Sequence, residues 1–354
     1  MERTNRIKTF LETIQKKEGE HFQFDESAIL EAINQDKSET SSLAIKVLSI
    51  FGGFLASLAF LGFLFILGVY DSEVGMLVLG VLLISGALIL TKMFDRLIID
   101  TFSISIYLIG FALVIISLLN LEVNEDVVTL LVLITALGSL FVTQTYMLSF
   151  LSILGVGGCL LILIISNDQY NLIHLYLAVY AVLLVYCFLN EAKFLTWGNK
   201  LSKLYGPLRI GLLFSFLIGL IALGKRDLFP IDQNYIWLSS VVSFLAVLYL
   251  VKDLIKVVGV VSGNTKTLIY VLSVAVLLPA VMAPAISGAI LIILLSYKIN
   301  YKTGLAIGII ALIYFVSQYY YDLNLTLLTK SILLFSSGVV FLLFYLFTLK
   351  MTKK

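Results

Sequence analysis

The sequence predicts an all-α fold, a polytopic transmembrane helical bundle of about 12 spans. Three observations predict it. Of 354 residues, 60% are hydrophobic and 13% are charged, whereas soluble domains carry about 25% charged residues. From Leu43 onward, apolar stretches follow one another with only brief polar breaks. Nearly every Lys and Arg falls on alternate breaks or on the two tails, the pattern of a chain threaded repeatedly through a bilayer. A soluble chain must cover its surface with polar groups, so the medium around this one is lipid.

Residues 1–42 form a polar segment ahead of the first span. Ile7, Phe10, Leu11 and Ile14 recur at helical spacing and predict a short amphipathic helix. A second is predicted from Glu26 to Ile33, with Asp25 as its N-cap, and Asp36 to Ser42 reads as a linker. The segment is too small for its own core, so it docks on the spans, lies on lipid or meets a partner. It lacks the short basic region and adjoining apolar core of a signal peptide.

A crossing needs about 20 apolar residues. The predicted spans are 44–69, 74–93, 102–121, 127–143, 148–166, 171–190, 208–224, 234–251, 267–281, 284–297, 303–320 and 324–348, within a membrane domain of 43–349 and ahead of a basic tail at 350–354. Pro279 and Pro284 break the apolar run between the ninth and tenth spans. That stretch reads as a tight helical hairpin or a re-entrant pair.

Charge tests the count. With the N-terminus inside, all 24 basic residues fall on inner segments except Lys225, Arg226 and Lys330. Outer loops hold Asp71, Glu73, Glu122, Glu125, Asp126 and Asp168 instead. Without a turn near Met282 the parity of Lys298, Lys302 and the C-terminal lysines would invert. Aromatic residues gather at both edges, among them Tyr70, Tyr170, Trp237 and Tyr319-Tyr320-Tyr321 on the outer side and Tyr205, Tyr249 and Tyr301 on the inner. Gly304 with Gly308, and Gly155-Val156-Gly157-Gly158, allow close helix approach within the chain.

Several residues invite a functional reading. Lys330 lies about two turns into the last span, where a lysine must pair, snorkel or line a wet cavity for an anionic ligand. Asp322 is eight residues earlier, about 12 Å along a helix, and could pair with it only if the chain bends back. Pro279, Pro284 and Ser287-Gly288 interrupt short apolar segments, which exposes backbone groups to a ligand or simply bounds a hairpin. Asp95-Arg96 after the second span resembles the loop pair of major-facilitator transporters. Thr91 stands at that motif's glycine position, however, and Leu97-Ile98-Ile99 replaces its basic end. His174 reads as a hydrogen-bonded interfacial histidine or, beside Asp168, as a proton relay.

No P-loop, zinc-protease motif, nucleophile elbow or dinucleotide fingerprint is present. Cys159 and Cys187 lie inside spans and have no disulfide or zinc spacing. Two histidines cannot build a metal site, so neither a metal nor a cofactor is expected. A net charge of +2, with no basic stripe, argues against nucleic acid.

The residues Leu278-Pro279, Ala283-Pro284, Tyr319-Tyr320-Tyr321, Leu327-Leu328-Thr329-Lys330-Ser331 and Gly338 resemble those of a bacterial multi-pass membrane family known as domain of unknown function 4401. The resemblance implies no established activity. It implies as partner a membrane protein with a GDYXXLXY motif, and it draws attention to Lys330 and Ser331, with Tyr320, Tyr321 and Asp322 close by.

The expectation is a non-enzymatic protein of the bacterial cytoplasmic (inner) membrane with both termini cytoplasmic, acting with a membrane partner as subunit, scaffold or sensor. The alternative is a small-molecule or lipid facilitator with a site near the proline hairpin and Lys330.

Overall fold

A backbone in lipid must satisfy its own N–H and C=O groups, so each apolar run closes into a helix. The computed structural model describes residues 52, 55–56, 58–64, 66–93, 97–143, 145–196, 198–224, 230–231, 235–258, 263–277, 280–281, 283–322, 328, 331–332, 335–336, 338–339 and 342. Within them run α1 (Glu73–Met93), α2 (Leu97–Asn120), α3 (Glu125–Val142), α4 (Tyr146–Ser166), α5 (Leu172–Leu189), α6 (Glu191–Thr196), α7 (Asn199–Gly224), α8 (Ile236–Val258), α9 (Gly263–Leu277), α10 (Pro284–Lys298) and α11 (Lys302–Asp322). Among the described residues, 8 helices are long and apolar enough to cross a membrane. The segments Thr265–Val274, within α9, and Pro284–Lys298, α10, are apolar but shorter.

The N-terminal segment 1–42, Asp95-Arg96 and much of the first and last predicted spans lie outside the described residues. The predicted boundaries differ from the observed ones mainly around α7. That helix begins at Asn199, ahead of the apolar run at 208, and the short α6 precedes it. Helical hydrogen bonding continues through the polar residues 199–207, where hydropathy gives no sign of it.

Contacts between helices give their directions. Ser117 Oγ donates to Glu73 O at 2.7 Å while Gly80 faces Gly110, so α1 and α2 are antiparallel. Ser166 meets Asp126 and Ser152 meets Ser139, which makes α3 and α4 antiparallel. Gly206 packs on Tyr146 and Gly211 on Ile153, so α7 runs parallel to α4. His174 and Ser239 place α5 beside α8 in the same sense. Charges then separate. Lys92, Lys203, Arg209, Lys252, Lys298 and Lys302 lie toward one end of the bundle, and Asp71, Glu122, Asp126 and Asp168 toward the other.

Three of the reversals use one backbone device. Glu122, Asp168 and Asn300 have φ of 56°, 53° and 55°. Just after each, Val123 N donates to Leu118 O at 3.0 Å, Gln169 N to Ile164 O at 3.0 Å and Tyr301 N to Ser296 O at 2.8 Å. This is the left-handed C-terminal motif that satisfies the last helical carbonyls. Asparagine and aspartate take the left-handed region more readily than glutamate does.

Helix α7 is central and packs on α4, α5, α6, α10 and α11. Its Leu213, Phe216 and Leu220 are fully buried with Leu177, Leu184 and Phe188 of α5 and Leu250 of α8. A second cluster joins α1, α2 and α4 through Ile84, Ala87, Ile104, Tyr107 and Leu148. The outward faces carry large apolar side chains such as Val78, Leu82, Ile134 and Ile313, as lipid requires.

The short pair α9 and α10 runs in opposite directions. Ser240 Oγ donates to Ala280 O at 3.4 Å; Ser240 lies four residues into α8, so the turn sits about 6 Å below the start of that helix. Pro284 opens α10, the position where its missing N–H costs nothing. Rather than closing on α9 as a tight hairpin, α10 packs chiefly on α7, α8 and α11. Gly288 lies against Leu220 and Phe216 of α7, and that close approach draws α10 into the core.

The α1–α2 crossing generates a prediction. A Cβ added at Gly80 would sit 2.7 Å from Val114 Cγ2 and 2.9 Å from Gly110 O, while one added at Gly86 meets nothing within 4 Å. Gly80→Ala is expected to destabilise the protein by about 1–3 kcal/mol. Gly86→Ala is expected to be neutral or slightly stabilising. Thermal unfolding in detergent compares the two, and equal effects would show that the crossing tolerates separation.

Candidate functional site

The structure places the residues singled out by sequence in several settings. Pro279 and Lys330 lie outside the described residues. Pro284 is buried at the start of α10, and Ser287 Oγ donates to its carbonyl at 2.9 Å. Tyr320 and Tyr321 stack edge to face with centroids 5.6 Å apart near the end of α11, which Asp322 closes. Ser331 occupies an exposed helical position beyond it. The described members of this set are therefore divided between a packed helix start and the rim of α11. His174 is 7% exposed, and its Nδ1 lies 2.7 Å from Ser239 Oγ, a hydrogen bond that ties α5 to α8.

The densest polar centre is one that sequence did not single out. Arg209 lies ten residues into α7, at the level where α4 begins, α5 ends and α10 turns into α11. Its guanidinium carbon sits 3.7 Å from the Tyr301 ring centroid and 5.1 Å from that of Tyr205. Glu191 Oε1 is 3.7 Å from Arg209 Nη1. Phe194 packs on Tyr205 at 5.8 Å and Phe188 on Tyr301 at 6.3 Å. Gly206 admits the Tyr146 ring, to which an added Cβ would come within 3.0 Å. A planar cation on an aromatic face contributes about 0.5–2 kcal/mol, more when desolvated. Arginine suits the position because one plane can stack while its edge meets a carboxylate. Nearby, Lys298 bonds Asp253 and joins α10 to α8.

Inside the bundle, hydroxyl, phenol and amide groups tie helices to one another. Tyr107 OH donates to Ser139 Oγ at 2.8 Å and lies 3.0 Å from Ser152 Oγ, and the two serines are 2.6 Å apart. This triad joins α2, α3 and α4. Tyr176 OH donates to the Ser215 carbonyl at 3.1 Å. Gln318 Nε2 donates to Gly224 O at 2.9 Å, so α11 satisfies the last carbonyl of α7.

The acidic end is built differently. Asp126 Oδ1 accepts from Ser166 Oγ at 2.5 Å and from Asn167 Nδ2 at 2.9 Å. Tyr170 OH donates to Asp168 Oδ1 at 2.9 Å, and this bond to a carboxylate raises the phenol above its usual range. Below these residues a cavity of about 480 Å³ opens between α4 and α5.

Helices long enough to span lipid, charges divided between two ends and a core of apolar side chains define a multi-helix integral membrane protein of unknown activity. The chain belongs to the family described as Domain of unknown function (DUF4401), which matches residues 42–351. Comparison with curated proteins and with solved structures gives no match.

Sequence counted Arg209 only as one more inner positive charge. Tyr205 is one helical turn away, but Glu191 and Tyr301 lie 18 and 92 positions away in the chain, beyond any local spacing rule. Arg209→Lys is expected to cost about 1–2 kcal/mol of stability, because an ammonium cannot stack on Tyr301 and keep its contact with Glu191. Tyr301→Phe should stay near wild type since the ring face is kept, while Tyr301→Leu should resemble Arg209→Lys. Thermal unfolding in detergent separates these outcomes.

Proposed function

We propose that this chain is a non-enzymatic subunit of an assembly in the bacterial cytoplasmic membrane, acting through a membrane partner as scaffold or sensor. The observation that carries the reading is the packing of the described interior. Leu213, Phe216, Leu220, Leu177, Leu184 and Leu250 fill the space between α5, α7 and α8, and among the described residues the buried polar side chains are Ser, Thr and His174, with no Asp, Glu, Lys or Arg. Coupled transporters place ionisable groups or broken-helix ends along their path. Here, among the described residues, Lys and Arg lie toward the ends of the helices.

Orientation follows from the same separation. The basic end faces the cytoplasm under the positive-inside rule, and both termini lie on that side. The partner class is the one the family resemblance implies, a membrane protein with a GDYXXLXY motif. A facilitator with a site at Pro284 and Lys330 is the weaker reading. At the proline hairpin, Pro284 and Ser287 form the first turn of α10 and Gly288 packs it against α7.

The test is gentle solubilisation of native membranes, purification of the full chain and mass spectrometry of what accompanies it. A membrane protein recovered in fixed stoichiometry is the expected result. A monodisperse lone chain, recovered also after cross-linking in intact membranes, would overturn the reading.

A further inference from the structure

The cavity between α4 and α5 is a groove open to the lipid side. Helix α4 packs on α3 and α7 and α5 packs on α7 and α8, so these consecutive helices diverge with α7 behind them. Leu160 and Leu163 form one wall, and Leu175 and Val179 the other. Leu175 and Val179 are 61% and 46% exposed, so the groove is accessible from the membrane. Its floor is the paired rings of Tyr176 and Tyr180, with centroids 4.4 Å apart. The Tyr176 hydroxyl is turned inward to Ser215 and that of Tyr180 faces Gly157, and the two rings, 5% and 4% exposed, close the inner side of the groove.

Depth and polarity identify an occupant. The groove runs from Leu172 to Tyr180, eight residues or about 12 Å of helix. One leaflet's hydrocarbon is about 15 Å thick, half of the roughly 30 Å core. Along that depth the walls are apolar, and only at the mouth do Asn167 and Gln169 appear. This order of surfaces matches an acyl chain beneath a polar headgroup. Around the mouth stand Asp126, bonded to Asn167, and Asp168, with Glu122 in the neighbouring turn and Glu125 at the start of α3. No Lys or Arg occurs in the connecting turns 121–124 and 167–171. A cluster of carboxylates repels an anionic headgroup and attracts an ammonium.

We propose that the α4–α5 groove binds a phospholipid with an ammonium-bearing, zwitterionic headgroup, one acyl chain lying on Tyr176 and Tyr180 and the ammonium facing Asp126 and Asp168. The site does not depend on the presence of a protein partner. The cavity of about 480 Å³ takes one acyl chain, and the rest of the lipid stays in the bilayer.

The full chain in nanodiscs of mixed phosphatidylethanolamine and phosphatidylglycerol tests it. Each lipid in turn carries a photoactivatable group on one acyl chain, and labelled peptides are mapped. Labelling of residues 160–180 is expected to favour phosphatidylethanolamine by roughly two- to fivefold, the range of exposed charge pairs. Leu175→Trp and Val179→Trp fill the groove from exposed positions and should reduce that labelling to the level of other lipid-facing helices. Val78→Trp, on the exposed face of α1, should leave it unchanged. Paired Asp126→Asn and Asp168→Asn changes should bring the lipid preference to about one while keeping the labelling. Labelling no greater than elsewhere, or unaffected by the groove-filling changes, would overturn the site. Cross-links from the groove to residues 324–348 of the same chain would show that the last apolar segment occupies it, and would overturn it too. Equal labelling by the two lipids would overturn the headgroup assignment.

Discussion

The guanidinium of Arg209 is the constraint around which the basic end is organised. It is a cation that cannot shed its charge, on a helix whose next turns enter the apolar core. Tyr301 and Tyr205 offer ring faces, and Glu191 a carboxylate. These partners come from α7 itself, from the start of α6 and from the turn between α10 and α11. Meeting the needs of one side chain therefore fixes the relative height of elements that are distant in sequence. Gly206, by admitting Tyr146, adds the start of α4 to the same level.

Above that level a different economy operates. Lipid chains are as apolar as leucine, so burying leucine against leucine gives little reason for helices to associate. Association then rests on close packing and a few hydrogen bonds. Gly80 against Gly110 lets the α1 and α2 backbones meet, and Gly288 does the same for α10 on α7. The Tyr107–Ser139–Ser152 triad joins the hairpin of α1 and α2 to that of α3 and α4. Intramembrane bonds of this kind contribute about 0.6 kcal/mol on average. The fold is held by many such contacts, with charge confined to the ends.

How much of this was legible in sequence follows from the range of each signal. Apolar length and charge parity are local and additive, so the helices and their division into a basic and an acidic end could be read directly. Gly304 and Gly308 stood out by spacing, and they pack within the chain on Ser296 and Ile293 of α10. Gly80 and Gly110 carry no such spacing, because each is a single glycine whose partner lies 30 positions away. The Arg209 centre was hidden for the same reason. Helix α7 begins ahead of the apolar span at 208, since hydropathy marks where lipid begins, not where helical hydrogen bonding does. Of the sequence-chosen site, Pro284 proves to be a helix start used for packing, while Lys330 falls outside the described residues.

The two ends differ in a way that bears on function. At the basic end, cation–π and ion-pair contacts clamp α6, α7 and the α10–α11 turn together, Tyr146 of α4 packs on Gly206 at the same level, and Lys298 with Asp253 adds α8. Toward the acidic end, α4 and α5 are joined by a single tight turn at Asp168 and separate as they descend. Rigid anchoring on one side and a lipid-accessible cleft on the other make the cleft the place where the membrane's own composition can act on the bundle. A ligand held there touches α4 and α5 at once, with α7 behind both. Because α7 also carries Arg209, one helix connects the lipid-facing groove to the clamped end. That continuity is the physical route by which a lipid in the proposed site would act on the surface that the proposed assembly role requires.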